Sequence, residues 1–363
     1  MRNRPRRHSS HQYHYYHQYH QQRHQQRHQH NTNRLEQGDK DIMFGWCTIL
    51  PGCRWQRSIF PVAICIWLTF CVSTAHGVEL TMARHLFDIK DTFNQPSDVA
   101  VAKNGTIYVV DGVNGRIQAF SPSGSYLFTI GRPGTGPGEF AFPLGMDIDE
   151  SGMVYVADSR NQRVQILTAK GAFISEIPVP DHNGKKADPT DVAVDDSGKW
   201  FFVADNNNHR ILKFDIASKK LINSYGKPGE EKREFRYPFL MHLHHNKDLY
   251  VVDVINTRVQ VVNTEGKFVT FVGGWGVEKG HFFRPKGVTV DKNGLAYVSD
   301  SYMGVVQLFN NTGTFHSVLG DPVSGGVRKF TTPVGLFVDD SMRLYVVEML
   351  PGRLSVFSLD NAQ

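Results

Sequence analysis

The sequence predicts an all-β protein, a six-bladed β-propeller of four-stranded antiparallel blades, and three observations carry that prediction. Prolines stand at Pro96, Pro143, Pro189, Pro238, Pro285 and Pro333, 46 to 49 residues apart. Each is followed at nearly constant distance by an acid (Asp111, Asp158, Asp205, Asp253, Asp300, Glu348), with an aromatic three residues before that acid (Tyr108, Tyr155, Phe202, Tyr250, Tyr297, Tyr345). No amphipathic helix of useful length appears, which excludes α-solenoids. Units of about 40–50 residues that hold several short strands stack radially as propellers.

The second unit shows the elements most clearly. Met146 and Ile148 alternate as in a short strand, Glu150-Ser151-Gly152 makes a turn, Val154-Tyr155-Val156 forms a second strand and Val164-Gln165-Ile166 a third. A fourth strand, Phe173 to Ile177, follows the turn at Lys170-Gly171. Val, Ile, Tyr and Phe suit pleated, buried surfaces. The proline lies at the start of the first strand, where its missing donor matters least. The sixth unit ends near Leu359 after only three strands. The segment Arg84 to Ile89, which is similar to the outer strand Lys267 to Val272, is expected to supply the fourth and close the ring, removing an exposed sheet edge.

No Trp-Asp pair recurs, as in WD40 repeats, and no Gly-Gly pair, as in kelch repeats. The pattern resembles the NHL repeat, Pro-x-Gly-Val-Ala-Val-Asp…Gly…Tyr-Val-x-Asp-x-x-Asn-x-Arg-Val-Gln-x-Phe. It is met closely at Pro96–Phe120 and Pro143–Ile166, and also at Pro189–Phe214, Pro238–Val261, Pro285–Phe309 and Pro333–Phe357. The resemblance covers about 275 residues and implies the fold specifically, the function only loosely.

The recurring Asp111, Asp158, Asp205, Asp253, Asp300 and Glu348, with Arg116, Arg163, Arg210, Arg258 and Arg353 five residues later, could be read as a ring of catalytic or metal-binding groups. A residue type that recurs in every blade is read instead as structural, the acid capping its loop and the arginine bridging to it. Asn114, Asn161, Asn208 and Asn256 are expected to take the left-handed backbone such loops need. Phe93, Phe140, Phe235, Phe282 and Phe330 read as packing between blades. The glycine-rich Gly131–Gly138 reads as a blade-to-blade loop, because no helix follows it to cradle a phosphate.

Departures from the repeat are the candidate sites. Blade five carries Tyr302, Met303 and Val305, in a loop where the other blades carry Asn and Arg, and blade six has Met349 and Leu350 in the same loop. These five are expected to form an apolar partner-binding patch on one face. His242, with His244 and His245, stands in the fourth blade's inner strand. The equivalent channel positions are Ala100, Asp147, Ala193, Thr289 and Phe337, so only His242 and Asp147 could ligate a metal, short of the three or four ligands zinc or calcium takes. The resemblance extends to six-bladed lactonases and the amidating lyase, which implies a metal-dependent hydrolase or lyase as an alternative. It also implies RNA binding, as in relatives fused to ubiquitin-ligase modules. No metal or other cofactor is expected.

Charge and cysteines bear on these alternatives. Residues 1–77 hold ten of the 40 Lys and Arg and three of the 35 acids, leaving 30 basic and 32 acidic residues in the body. The basic balance therefore belongs to the leader, and a near-neutral body argues against nucleic acid as partner. All four cysteines (Cys47, Cys53, Cys65, Cys71) also precede the body, so it has no disulfide and no RING or B-box ligands.

The domain reading is a disordered His/Gln/Arg-rich segment at 1–42, a signal peptide or membrane anchor at 43–77, and the propeller at 78–363. The tract at 8–30 has no aliphatic residue to bury. Met43 is an alternative start to Met1. Arg54 and Arg57 precede an uncharged apolar run, Ser58 to Val72, and Ser73-Thr74-Ala75 and Ala75-His76-Gly77 both offer small residues to a signal peptidase. The run is shorter than the roughly 20 residues of a spanning helix, which favours cleavage. Membrane contact is expected only through residues 58–75, if uncleaved. The expected protein is exported to a periplasmic or extracellular space and binds a protein or ligand without catalysis of its own. The resemblance offers an envelope or cytochrome complex as partner.

Overall fold

The repeat read along the chain becomes a ring in space. The computed structural model describes residues 77–90 and 92–359. Six inner strands, Pro96–Val101, Pro143–Ile148, Pro189–Val194, Pro238–Leu243, Pro285–Val290 and Pro333–Val338, each begin at a repeat proline. Each inner strand contacts the next, and the sixth contacts the first, so the circle closes around a central channel. From each, the chain zigzags outward through antiparallel neighbours. Among the described residues the only helix is a 3-10 turn, Ser159–Asn161, and no helix is long and apolar enough to cross a membrane. The expectations for the segment at 1–42 and, but for Gly77, for the signal peptide or anchor at 43–77 lie outside the described residues.

Ring closure follows the sequence reading. Strand β2 (Arg84–Ile89) pairs antiparallel with Arg353–Ser358 and completes blade six. Strand β1 (Leu80–Met82) was not foreseen. It pairs in parallel with the outer strand of blade five, Leu80 opposite Val318. Only three residues long, it carries no alternation a pattern could detect. The first strands of the domain thus cap two neighbouring blades.

The core lies between blades. Tyr108 and Val110 of blade one pack with Met146 and Val156 of blade two, and the other clusters bridge blades in the same way. Phe140, Phe235, Phe282 and Phe330 are buried as expected, each adding about 1.5–3 kcal/mol of transfer free energy. The repeat tyrosines bury their rings, and a buried phenol needs a partner. Tyr155, Tyr297 and Tyr345 donate their hydroxyls to Asp149, Asp291 and Asp339 at the first hairpin of their blades.

Two local features place the functional side chains. Every inner strand carries a bulge just after its proline, and in blade one the next two side chains, Ser97 and Asp98, reach the neighbouring blade. The zigzag also sends the first and third hairpins of each blade to one face. The loops after each repeat acid and the blade-to-blade linkers go to the opposite one, called here the linker face.

Candidate functional site

The channel opens at the hairpin face into a cavity of about 260 Å³. Ala100, Asp147, His242 and Phe337 line it, and Lys103, Asp196 and Arg343 stand among its rim residues. The registers agree with the equivalence read from sequence: Ala100, Asp147, Ala193, His242, Thr289 and Phe337 all lie opposite the repeat aromatic of their blade.

Three aspartates of this inner ring reach across blade boundaries. Asp98 accepts the amide of Met146 at 3.0 Å, Asp147 that of Val194 at 2.8 Å, and Asp191 that of Met241 at 2.6 Å. Thr289 continues the series, its hydroxyl 3.3 Å from the Val338 amide. Burial pushes the carboxyl of Asp98 up to about 8 and that of Asp147 up to about 7, despite the amides each accepts. Asp191 is raised well above the usual carboxylate range, first by burial and then by the charge of Asp98. These groups pin blade to blade and hold protons where an exposed carboxyl would not.

The pins bear directly on metal chemistry. Both carboxylate oxygens of Asp147 are engaged, one by its neighbour Ile148 and one by Val194. Burial, with His244 and His245 adding to it, pushes the imidazole of His242 down to about 3, so it is neutral. His245 pairs with Asp196 at 2.8 Å. Among the described residues no group of three or more His, Cys, Asp or Glu is placed to hold a metal ion.

The recurring acids sit at the linker face and are saturated by their own surroundings. Asp111 accepts the Asn94 amide, Asn114 Nδ2, Arg116 Nε and Gln118 Nε2. Arg163, Arg210, Arg258 and Arg353 pair in the same way with Asp158, Asp205, Asp253 and Glu348. The left-handed residues are not the asparagines but the residues after them, Gly115, Gln162, His209 and Thr257. The asparagine side chain is needed on the acid, as in Asn208 to Asp205 at 2.9 Å, and that contact fixes its own backbone.

The five residues expected to form an apolar patch separate. Tyr302 and Leu350 are exposed, at 62% and 68%. Met303 is half-buried, and Met349 packs against the cluster between blades six and one. Val305 does not belong to the surface: at 4% exposure it is buried, at the position where blades two and three bury Arg163 and Arg210. Its acid, Asp300, compensates by accepting four backbone amides, from Phe283, Arg284, Tyr302 and Met303. Tyr302 stacks on Phe283 at 4.1 Å between ring centroids. Val113, in the corresponding loop of blade one, is also exposed.

Sequence reasoning missed Asp98 and Asp191 because their partners are backbone amides a whole repeat away. It also passed over Arg284 and Lys286, which flank the proline of blade five. A comparison of that position across units would have shown a cation where the others hold Ser97, Leu144, Thr190, Phe239 and Val334.

Architecture and channel together define a six-bladed β-propeller protein. The family profile described as "6-bladed beta-propeller" matches residues 90–237. Protein brain tumor of Drosophila melanogaster is 30% identical over 132 residues, a match that spans 36% of this chain and 12% of the length of that relative. Among solved structures, a protein of unknown function from Bacteroides thetaiotaomicron superposes with a TM-score of 0.57 at 17% identity, over 77% of this chain and 73% of the other. Virginiamycin B lyase from Staphylococcus aureus gives 0.54 at 13% identity, over 75% and 97%. Kuenenia stuttgartiensis hydrazine synthase gives 0.53 at 12% identity, over 74% and 96%. At these identities the likeness is one of fold.

Proposed function

We propose that the propeller is a binding scaffold without catalysis of its own, and that its linker face at blades five and six docks a protein partner. The observation that carries this reading is the loop position two residues after the repeat acid. It is apolar and exposed in three consecutive blades, as Tyr302, Leu350 and Val113, whereas blades two and three hold Arg160 and Asn207 there and blade four a half-buried Ile255. Exposed apolar side chains gathered on one face mark interaction surfaces. An aromatic ring already held by stacking loses little freedom on binding. The Lys329 ammonium, bonded to the Met303 carbonyl at 3.2 Å, lies beside this loop, so the partner chemistry that fits is an apolar ridge flanked by carboxylates. An exported protein in an envelope or cytochrome assembly is the setting the NHL resemblance offers.

Changing Tyr302 and Leu350 to aspartate together is expected to weaken partner binding by about 10–100-fold, the loss typical of interface anchors. The fold should be retained, because exposed substitutions usually cost within about 0.5 kcal/mol. Aspartate at exposed Leu221, in an outer strand, serves as the control. Equal capture of the same partner by all three proteins sinks the proposal.

Export is tested separately on the full chain. N-terminal sequencing of the mature protein should give His76 or Val78, the residues after the two small-residue sites. A mature chain that still begins at Met1 or Met43 removes the cleaved-leader reading.

A further inference from the structure

Lys286 occupies the inner-strand position one residue after the proline. Elsewhere that position is uncharged, and in two blades it ties one blade to the next: Ser97 donates to the Leu144 carbonyl at 2.5 Å, and Thr190 approaches the Phe239 carbonyl at 3.2 Å. In blade five it carries a cation. The ammonium lies 4.8 Å from the centroid of the Phe239 ring, which blade four extends toward it. The side chain is partly buried, and among the described residues no carboxylate stands within ion-pair distance of it. The charge that bears on it is another cation, Arg284, two residues earlier in the same extended segment. The guanidinium of Arg284 likewise pairs with no carboxylate among the described residues, in contrast to Arg236, which precedes the blade-four proline by two residues and meets Glu230 at 2.7 Å.

Two like charges held partly out of water with no counter-charge are unfavourable unless something else supplies one. We propose that Arg284 and Lys286, at the start of the blade-five inner strand on the linker face, bind an anionic group, a carboxylate or phosphate whose apolar carrier rests against Phe239. The planar guanidinium offers paired donors to such a group, the ammonium a point charge, and the Phe239 ring a flat apolar wall. Burial pushes the Lys286 ammonium down to about 8, and Arg284 acts in the same direction. A bound anion reverses the second effect and raises it again. The site involves neither Tyr302 nor Leu350, and its occupancy does not depend on a protein partner.

The test follows that lysine directly. The full chain, with its lysines carrying ¹³C-dimethyl groups, is titrated with pH by NMR in inorganic phosphate, in benzoate and in neither, at constant ionic strength. Lys286→Arg removes one resonance and identifies it while keeping the charge. The Lys286 midpoint should rise saturably with phosphate or benzoate, and Arg284→Gln should weaken the saturation by about tenfold or more, as expected for losing a charge-assisted partner. Saturation by phosphate alone identifies a phosphate-bearing ligand, and saturation by benzoate alone an aromatic carboxylate. Lys103, already paired with Glu150 at 2.7 Å, is the internal control. If neither anion moves Lys286 more than Lys103, or if the shifts grow without saturating, the site does not exist.

Discussion

Denaturant unfolding of the Asp205→Ala protein is expected to show a loss of about 3–5 kcal/mol, the range for removing one partner of a buried ion pair. Asp205 is fully buried, and its partner Arg210 is only 5% exposed, with 2.8 Å between them. The same carboxylate accepts the Asp188 amide and Asn208 Nδ2. Alanine therefore strands a buried guanidinium and two further donors, leaving Arg210 only the Pro180 carbonyl. Blade five shows that the loop itself tolerates the absence of arginine, because Val305 is buried at that position and Asp300 turns to backbone amides. The large cost thus belongs to leaving a charge alone, and it should fall when Arg210→Leu is added to Asp205→Ala. A loss under about 1 kcal/mol for the single variant would show that these acids do not hold the blades.

The second large effect is on pH. Asp98, Asp147 and Asp191 all have carboxyls raised by burial in the folded protein. An unfolded chain releases the proton of each near pH 4, about the ordinary aspartate value, while the folded ring keeps it until the pH passes its raised value. Between those limits the folded state binds more protons than the unfolded one, so stability falls as pH rises. For Asp98 the window runs from about pH 4 to about 8, and for Asp147 to about 7. Each proton held contributes a slope of up to about 1.4 kcal/mol per pH unit within its window. The Asp147→Asn protein should start lower, because its NH2 replaces one of the two oxygens that accept the Ile148 and Val194 amides and sets donor against donor, yet lose stability less steeply with pH. Parallel pH profiles for wild type and variant would refute the assignment, whatever their vertical offset.

The legibility of this protein in its sequence follows the range of the interactions. The blades were readable because each is built from neighbours in the chain: a proline start, an alternating strand, a glycine turn, an aromatic and an acid at fixed distances. The closing strand at Arg84–Ile89 was readable because it copies the outer strand of other units. What escaped was every contact that crosses a blade boundary through the backbone. Asp98 and Asp191 look like ordinary repeat variation, and Asp147 like a stray metal ligand, until the Met146, Val194 and Met241 amides are seen against them. Val305 was placed on the surface because its loop neighbours are polar elsewhere, although the position is buried in blade two as well, as Arg163. An apolar residue there is a replacement for a buried arginine, which periodicity alone does not reveal. Tyr302 and Leu350 stood out because they interrupt a repeat, whereas Arg284 and Lys286 flank a proline that kept it.

The sharing of blades five and six with the first strands sets an order of events during synthesis. Strand β2 is among the first parts of the domain to be made, yet its partner, Arg353–Ser358, is the last. At about 5–20 residues per second, the intervening chain takes roughly 15–50 seconds to appear. Throughout that time β2 remains an unpaired edge, and the nascent domain is an open arc that can grow blade by blade but cannot lock. A chain truncated before residue 353 therefore lacks the strand that pairs with β2, and its beginning as well as its end stays an open sheet edge.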